Sequence, residues 1–114
     1  MTTRTELVTC CDRCMGKAIK EKFEELDINV IAGPSLMHSE QEVNELVANA
    51  GDIDILVANL AEPPMTGPVQ SIDNENWNLL FDSLVHPLMY LVRAVTPQML
   101  ARKRGKIIAV TSAA

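Results

Sequence analysis

Two short runs in the second half of the chain, Ile53-Asp-Ile-Leu-Val-Ala-Asn59 and Gly105-Lys-Ile-Ile-Ala-Val-Thr-Ser-Ala-Ala114, are almost continuously apolar and rich in Ile and Val. A strand with one wet face alternates apolar and polar residues, whereas a strand covered on both faces has no such need. Between the runs lies a helix-length segment with its own apolar stripe. The combination reads as a βαβ unit, which commits the chain to an α/β architecture. The second run ends on Thr111-Ser112. The carboxyl ends of parallel strands are where such sheets gather their chemistry.

The upstream chain repeats the alternation. Glu6 to Thr9 reads as a first strand, through Leu7-Val8-Thr9, and about Met15 to Leu26 as a helix. That helix sets Ile19, Phe23 and Leu26 on one side and Lys17, Lys20, Glu21 and Glu24 on the other. Ile28 to Ala32 is a second strand, stopped by Gly33-Pro34. Ser39 caps a second helix, with Glu42 three residues on, Val43, Leu46 and Val47 as its buried stripe, and Gly51 at its end. Ile53 to Ala58 is the third strand, and Glu62 to Pro68 is a loop by composition. Asp73 caps the longest helix, in which Trp77, Leu80, Phe81, Leu84, Leu88, Leu91, Val92, Val95 and Met99 form one apolar face. Pro87 should kink it, Pro97 should disturb its end, and Gly105 should follow its last turn before a fourth strand from Lys106 to Thr111. The expected fold is a Rossmann-like, doubly wound parallel sheet. Residues 1–114 make a single incomplete domain, truncated after the strand that bears Ser112, with further strands expected beyond Ala114.

Apolar residues at 47% against 22% charged give the balance of a globular chain. A formal net charge of -5 argues against a nucleic-acid groove, which needs clustered Lys and Arg. The one basic cluster, Arg102-Lys103-Arg104 with Lys106, reads as a helix C-terminus offsetting its dipole rather than as a binding patch. No apolar run reaches the ~20 residues of a membrane span, and the N-terminus lacks the apolar core of a secretory signal, so a cytoplasmic location and no membrane partner are expected.

The turn after the first strand reads Thr9-Cys10-Cys11-Asp12-Arg13-Cys14-Met15-Gly16. A dinucleotide-binding turn uses glycines so that the backbone can approach the pyrophosphate, and only Gly16 is one here. The second strand ends in Ala32-Gly33-Pro34, with no acid for the ribose hydroxyls. From these two absences no nicotinamide cofactor is expected. Cys11-x-x-Cys14 admits three readings: turn filling, a pocket lining, or a redox pair at a helix N-terminus. A disulfide framework is excluded by the spacing. His38 and His86 lack ligand spacing, so no metal is expected either.

The segments Asp54-Ile-Leu-Val-Ala-Asn59, Arg93-Ala-Val-Thr-Pro-Gln-Met99 and Gly105-Lys-Ile-Ile-Ala-Val-Thr-Ser112 resemble the first part of the short-chain dehydrogenase/reductase superfamily. Within it, Cys10 and Cys14 in place of glycines, Ala58-Asn59-Leu60-Ala61 after the third strand, Leu84 in place of a structural Asn, and Val85-His86-Pro87-Leu88 resemble the halohydrin dehalogenases. That resemblance implies a lyase that turns vicinal haloalcohols into epoxides plus halide without a nicotinamide. Ser112 would hold the substrate oxygen as its catalytic residue, with the proton-accepting Tyr and its Arg lying beyond Ala114. It implies a substrate or halide pocket involving Cys14, Leu60, Pro64 and Met65. Asn59, at the strand end, bonds either backbone or substrate. The resemblance also implies a homo-oligomer, dimer or tetramer, joined through the long helix. Two other readings stand beside it: an NAD(P)-dependent short-chain oxidoreductase, and a non-enzymatic truncated module that binds a partner. On the lyase reading, the 114 residues alone are expected to be inactive.

Overall fold

The computed structural model describes residues 3–12, 15–34, 37, 39–61 and 67–111. Four strands, β1 (Thr5–Val8), β2 (Asn29–Ala32), β3 (Ile55–Ala58) and β4 (Lys106–Ala109), pair in parallel in the order β2-β1-β3-β4. The register is tight: Leu7 lies beside Ile31 on one side and Leu56 on the other, and Leu56 beside Ile107. Helices α1 (Gly16–Glu25) and α2 (Glu40–Ala50) form the first two crossovers. The third is one long helix, α3 (Asn74–Leu80), a π turn (Phe81–Val85) and α4 (His86–Arg102).

The core has two layers. Leu7 and Leu56 face α2 and α4, where Val43, Val47, Ile53, Leu91, Val95 and Met99 are buried with them. Val8, Ile55 and Val57 face α1 and meet Ile19 and Phe23. Each fully buried Leu or Ile contributes ~1.5–3 kcal/mol of transfer free energy, so these two layers hold the sheet between its helices. The doubly wound, Rossmann-like arrangement is therefore as expected.

The caps on the second and third crossovers also follow the sequence. Ser39 Oγ accepts the Glu42 N–H at 3.2 Å, and Asp73 Oδ1 accepts the Asn76 N–H at 2.8 Å. Gly51 closes α2 with φ of 74°.

Four details differ from the sequence reading. First, the distortion tied to Pro87 lies before it, as the π turn, in which the His86 N–H reaches the Phe81 carbonyl. Pro87 has no N–H for the carbonyl four residues back, and the wider turn absorbs that loss. Second, the extra residue splits the apolar stripe. Leu91, Val95 and Met99 stay buried, whereas Trp77 is 52% exposed and Phe81 also faces outward. Third, the helix passes Pro97 without interruption and ends at Arg102, because Pro97 sits on its exposed side. Fourth, Lys103, not Gly105, closes it in the left-handed conformation, φ 54°, and its N–H reaches Leu100 O. Gly105 answers a different need: a Cβ there would stand 2.4 Å from Met99 Sδ and 2.9 Å from Met99 Cβ.

Taken whole, Asn74–Arg102 is 29 residues, long and apolar enough to cross a membrane by length and composition. Its second half packs on the sheet: Gln98 Oε1 accepts the Ile53 N–H at 2.7 Å, and Arg93 pairs with Glu40 of α2. Strand β4 is exposed along its length, which leaves Ile107 and Ile108 open.

Candidate functional site

At the carboxyl edge of β1 the chain turns into α1, and the turn is built like a glycine turn although the sequence there is poor in glycine. Cys10 has φ of 55°. That region costs an L-residue ~1–2 kcal/mol and glycine almost nothing. The Cys10 side chain is fully buried, so it packs inward instead of standing on the open side of the turn. The Cys10 N–H donates to Pro34 O at 3.1 Å, and its carbonyl accepts from Asn59 Nδ2 at 3.1 Å.

Asn59 is the pin. Buried at the end of β3, it also donates its N–H to Thr9 Oγ1 at 3.0 Å, while Thr9 Oγ1 donates to Asn59 O at 2.8 Å. The side-chain amide of Asn59 is thus bonded to backbone. Gly16 completes the turn: a Cβ there would lie 2.3 Å from Cys10 O and 2.8 Å from Cys11 Cα, so no larger residue fits. Across the gap, a Cβ at Gly33 would press on Thr9 Cα and Val8 O, both at 3.2 Å. The turn is thus clamped by the ends of β2 and β3.

The start of α1 brings partial positive charge to this edge, set against the Asp12 carboxylate in the same turn. Helix α1 has ten residues, Met15 at its N-cap provides no side-chain bond, and its first turn holds no acid. The first N–H groups and the positive end of the helix dipole lie at this edge. Cys11 donates its thiol to Val8 O at 3.1 Å. Burial pushes that thiol upward in pKa, more than the Gly33 backbone bond and Lys20 lower it. A protonated, hydrogen-bonded thiol is poor at thiolate chemistry, so Cys11 fits turn filling better than a redox role.

The other residues singled out from the sequence divide clearly. Ser112, Cys14, Pro64, Met65 and His38 lie outside the described residues. Leu60 is half-buried and packs against the core on the α2 and α4 side. His86 stands on the exposed helix face, 3.0 Å from Asp82, far along the chain from the turn. Among the described residues no group of three or more His, Cys, Asp or Glu is placed to hold a metal.

Two carboxylates escaped the sequence reading. Glu6, on the central strand β1, is fully buried, and neither oxygen has a hydrogen-bond partner among the described residues. Burial raises its pKa to about 7. Asp54 lies at the opposite, amino edge of the sheet. Burial acts to raise its pKa, but the Thr5 N–H, at 2.9 Å, and the guanidinium groups of Arg104 and Arg102, each at 2.8 Å, outweigh it and bring it down to about 2. An acid at the start of an apolar run was the one available signal for either.

A family model described as short chain dehydrogenase matches residues 6–114. Among curated proteins, dehydrogenase/reductase SDR family member 4 of Bos taurus is 35% identical over 78 residues, 65% of this chain and 28% of that protein. The NADP-dependent 3-hydroxy acid dehydrogenase YdfG of Salmonella typhi is 32% identical over 95 residues, 80% of this chain and 38% of that protein. The chain thus spans well under half the length of these relatives. A crystal structure of a short-chain dehydrogenase from Streptomyces avermitilis superposes with a TM-score of 0.89 at 22% identity, over 97% of this chain and 50% of that one. A structure described as a dehalogenation enzyme superposes with a TM-score of 0.81 at 20% identity, over 97% and 55%. Likeness at these identities shows the fold alone.

These findings overturn the halohydrin dehalogenase reading. The relatives above 30% identity are dehydrogenases by name. The physical reason for the error lies in the turn. Of the missing glycines and the missing acid on which that reading rests, Cys10 stands at φ 55°, in the left-handed region that favours glycine, with its side chain buried.

Proposed function

The chain belongs to the short chain dehydrogenase family, and from that premise we propose that it is the dinucleotide-binding part of an NADP-dependent oxidoreductase acting on a small hydroxy or carbonyl compound. The observation that carries the proposal is the turn from Thr9 to Gly16, with Cys10 at φ 55°, its carbonyl held by Asn59, and Gly16 admitting no Cβ. The name of the Salmonella relative supports both the cofactor and the substrate class.

The residues fit the cofactor in three respects. The start of α1, whose first turn holds no acid, suits a pyrophosphate. The buried Cys10 keeps its own side chain off the face of the turn. The end of β2, Ala32-Gly33-Pro34, has no acid; an acid would favour the free ribose hydroxyls of NAD and repel the 2′-phosphate of NADP. When bound, the dinucleotide would supply or accept a hydride.

The work of the chain itself is to hold and orient. Thr9 and Asn59 lock the β1 and β3 ends against each other, so the α1 N–H groups keep a fixed aim without reorganising on binding. Ser112 is assigned the substrate oxygen, to which its hydroxyl would donate a hydrogen bond.

Titration of the chain with NADPH and with NADH, followed by nicotinamide fluorescence and by calorimetry, tests the proposal. Saturable binding of NADPH, weaker for NADH, is expected. No saturable binding of either nucleotide would overturn it.

A further inference from the structure

The amino edge of the sheet, opposite the turn, holds a cavity of about 180 Å³ lined by Arg4, Asp54, Ile55, Arg104, Gly105 and Lys106. Three cations line it against one carboxylate. Asp54 is already fully engaged: Oδ2 accepts the Thr5 N–H, and Oδ1 accepts from Arg102 Nη1 and Arg104 Nη2. Arg102 approaches from α4, behind the cavity wall, and its Nη2 also donates to Ile53 O at 2.6 Å and to Gln98 Oε1 at 3.2 Å. The carboxylate is thus neutralised from behind, while Asp54 fixes the Arg104 guanidinium at the rim. Arg4 and Lys106 enter no ion pair among the described residues. The lining comes from three places distant in sequence: the residue before β1, the start of β3, and the turn into β4. The fold brings them together because those strand ends are neighbours in the order β1-β3-β4.

Local positive charge runs against a chain whose net charge is -5. The Arg102-Lys103-Arg104 cluster therefore does more than offset a helix dipole: Lys103 closes the helix, Arg102 and Arg104 converge on Asp54, and Lys106 stands on the next strand. A negatively charged chain repels an extended polyanion but tolerates a compact one at a local cationic site. Guanidinium forks and an ammonium suit the tetrahedral oxygens of phosphate, with charge-assisted hydrogen bonds.

We propose that this amino-edge cavity is a binding site for a small phosphoryl oxyanion, held by Arg4, Arg104 and Lys106 and separate from the dinucleotide turn. The phosphoryl group is either the free ion or the end of a small phosphate monoester.

Amide ¹H–¹⁵N spectra of the chain, titrated with sodium phosphate against sodium chloride at equal ionic strength, test the proposal. Glycerol 3-phosphate in a parallel series tells the two sources apart: tighter binding than phosphate identifies a monoester, and equal or weaker binding the free ion. Saturable shifts are expected at Thr5, Gly105 and Lys106. The double variant Arg4→Gln/Lys106→Gln should weaken them about tenfold, since each exposed charge contributes up to a few-fold. Both residues are exposed and enter no ion pair among the described residues, so the variant should keep the dispersed spectrum of the folded chain. Shifts linear in concentration and equal to those with chloride would overturn the site. So would shifts confined to Cys10–Gly16, or a double variant that binds as the parent does.

Discussion

Replacing Glu6 by Gln should make the protein more stable at pH 8 and leave it little changed at pH 5. The carboxyl is fully buried on the central strand, with both oxygens unbonded among the described residues, and its pKa is raised from 4.5 to about 7. For an acid whose folded pKa is raised, the native state binds the proton more tightly than the unfolded chain. The unfolded chain ionises freely above pH ~4.5, whereas the folded one must stay protonated or carry a buried charge. Stability therefore falls as pH rises from 4.5 through 7 and then levels off. A shift from 4.5 to about 7 corresponds to about 3 kcal/mol at the plateau. Gln removes the titration and keeps the shape, although its amide is left as unpartnered as the acid was. Urea unfolding followed by far-ultraviolet circular dichroism at pH 5, 6.5 and 8 reads the effect directly. The parent midpoint should drop over this range, while that of Glu6→Gln should stay nearly flat and lie above the parent at pH 8. Equal pH slopes in the two proteins would refute the reasoning, because they would mean that Glu6 has found water or a partner.

Asp54→Asn should cost about 2 kcal/mol at pH 7. Its pKa is lowered to about 2, so its contribution is present above pH ~4 and fades as pH falls through 2, a window separate from that of Glu6; thermal unfolding at pH 7 and pH 2.5 should show the difference shrink to about a third. Asn59→Ala removes the donor to the buried Cys10 carbonyl and should destabilise by ~1–3 kcal/mol while weakening NADPH binding, both measurable on one preparation by unfolding and calorimetry. The outward face of the long helix, with Trp77 and Phe81 5.2 Å apart between ring centroids and both exposed, should drive self-association; sedimentation across a concentration series should show it, and Trp77→Lys/Phe81→Lys should shift the protein toward monomer.

The alternation of elements was plain in the sequence because buried parallel strands such as Ile55–Ala58 read as continuous apolar runs, and because Ser39 and Asp73 are ordinary helix caps. Other features depend on three-dimensional placement. Position 10 shows in sequence that a glycine is missing, but not that the replacing thiol is buried while the backbone keeps the glycine conformation. Asp54 and its two arginines are about fifty residues apart in the chain and meet only through strand order. Glu6 stands at the edge of an apolar run, where a solvated strand end is the ordinary reading, yet flanking strands cover it on both sides. The split of the long helix stripe follows from the π turn, which inserts a residue that no 3.6-residue periodicity anticipates. Of the pocket residues inferred from resemblance, only Asn59 and Leu60 fall among those described, one as a backbone pin and one as packing.

The claim that the turn still cradles a dinucleotide is tested most directly by hydrogen–deuterium exchange of the chain with and without saturating NADPH. Protection should appear in peptides covering Thr9 to Ile19, where the N–H groups of the turn and the first turn of α1 would engage phosphate, and not in peptides covering Glu40–Ala50 of α2. Unchanged exchange across Thr9 to Ile19 at nucleotide concentrations that saturate a control dehydrogenase would contradict it.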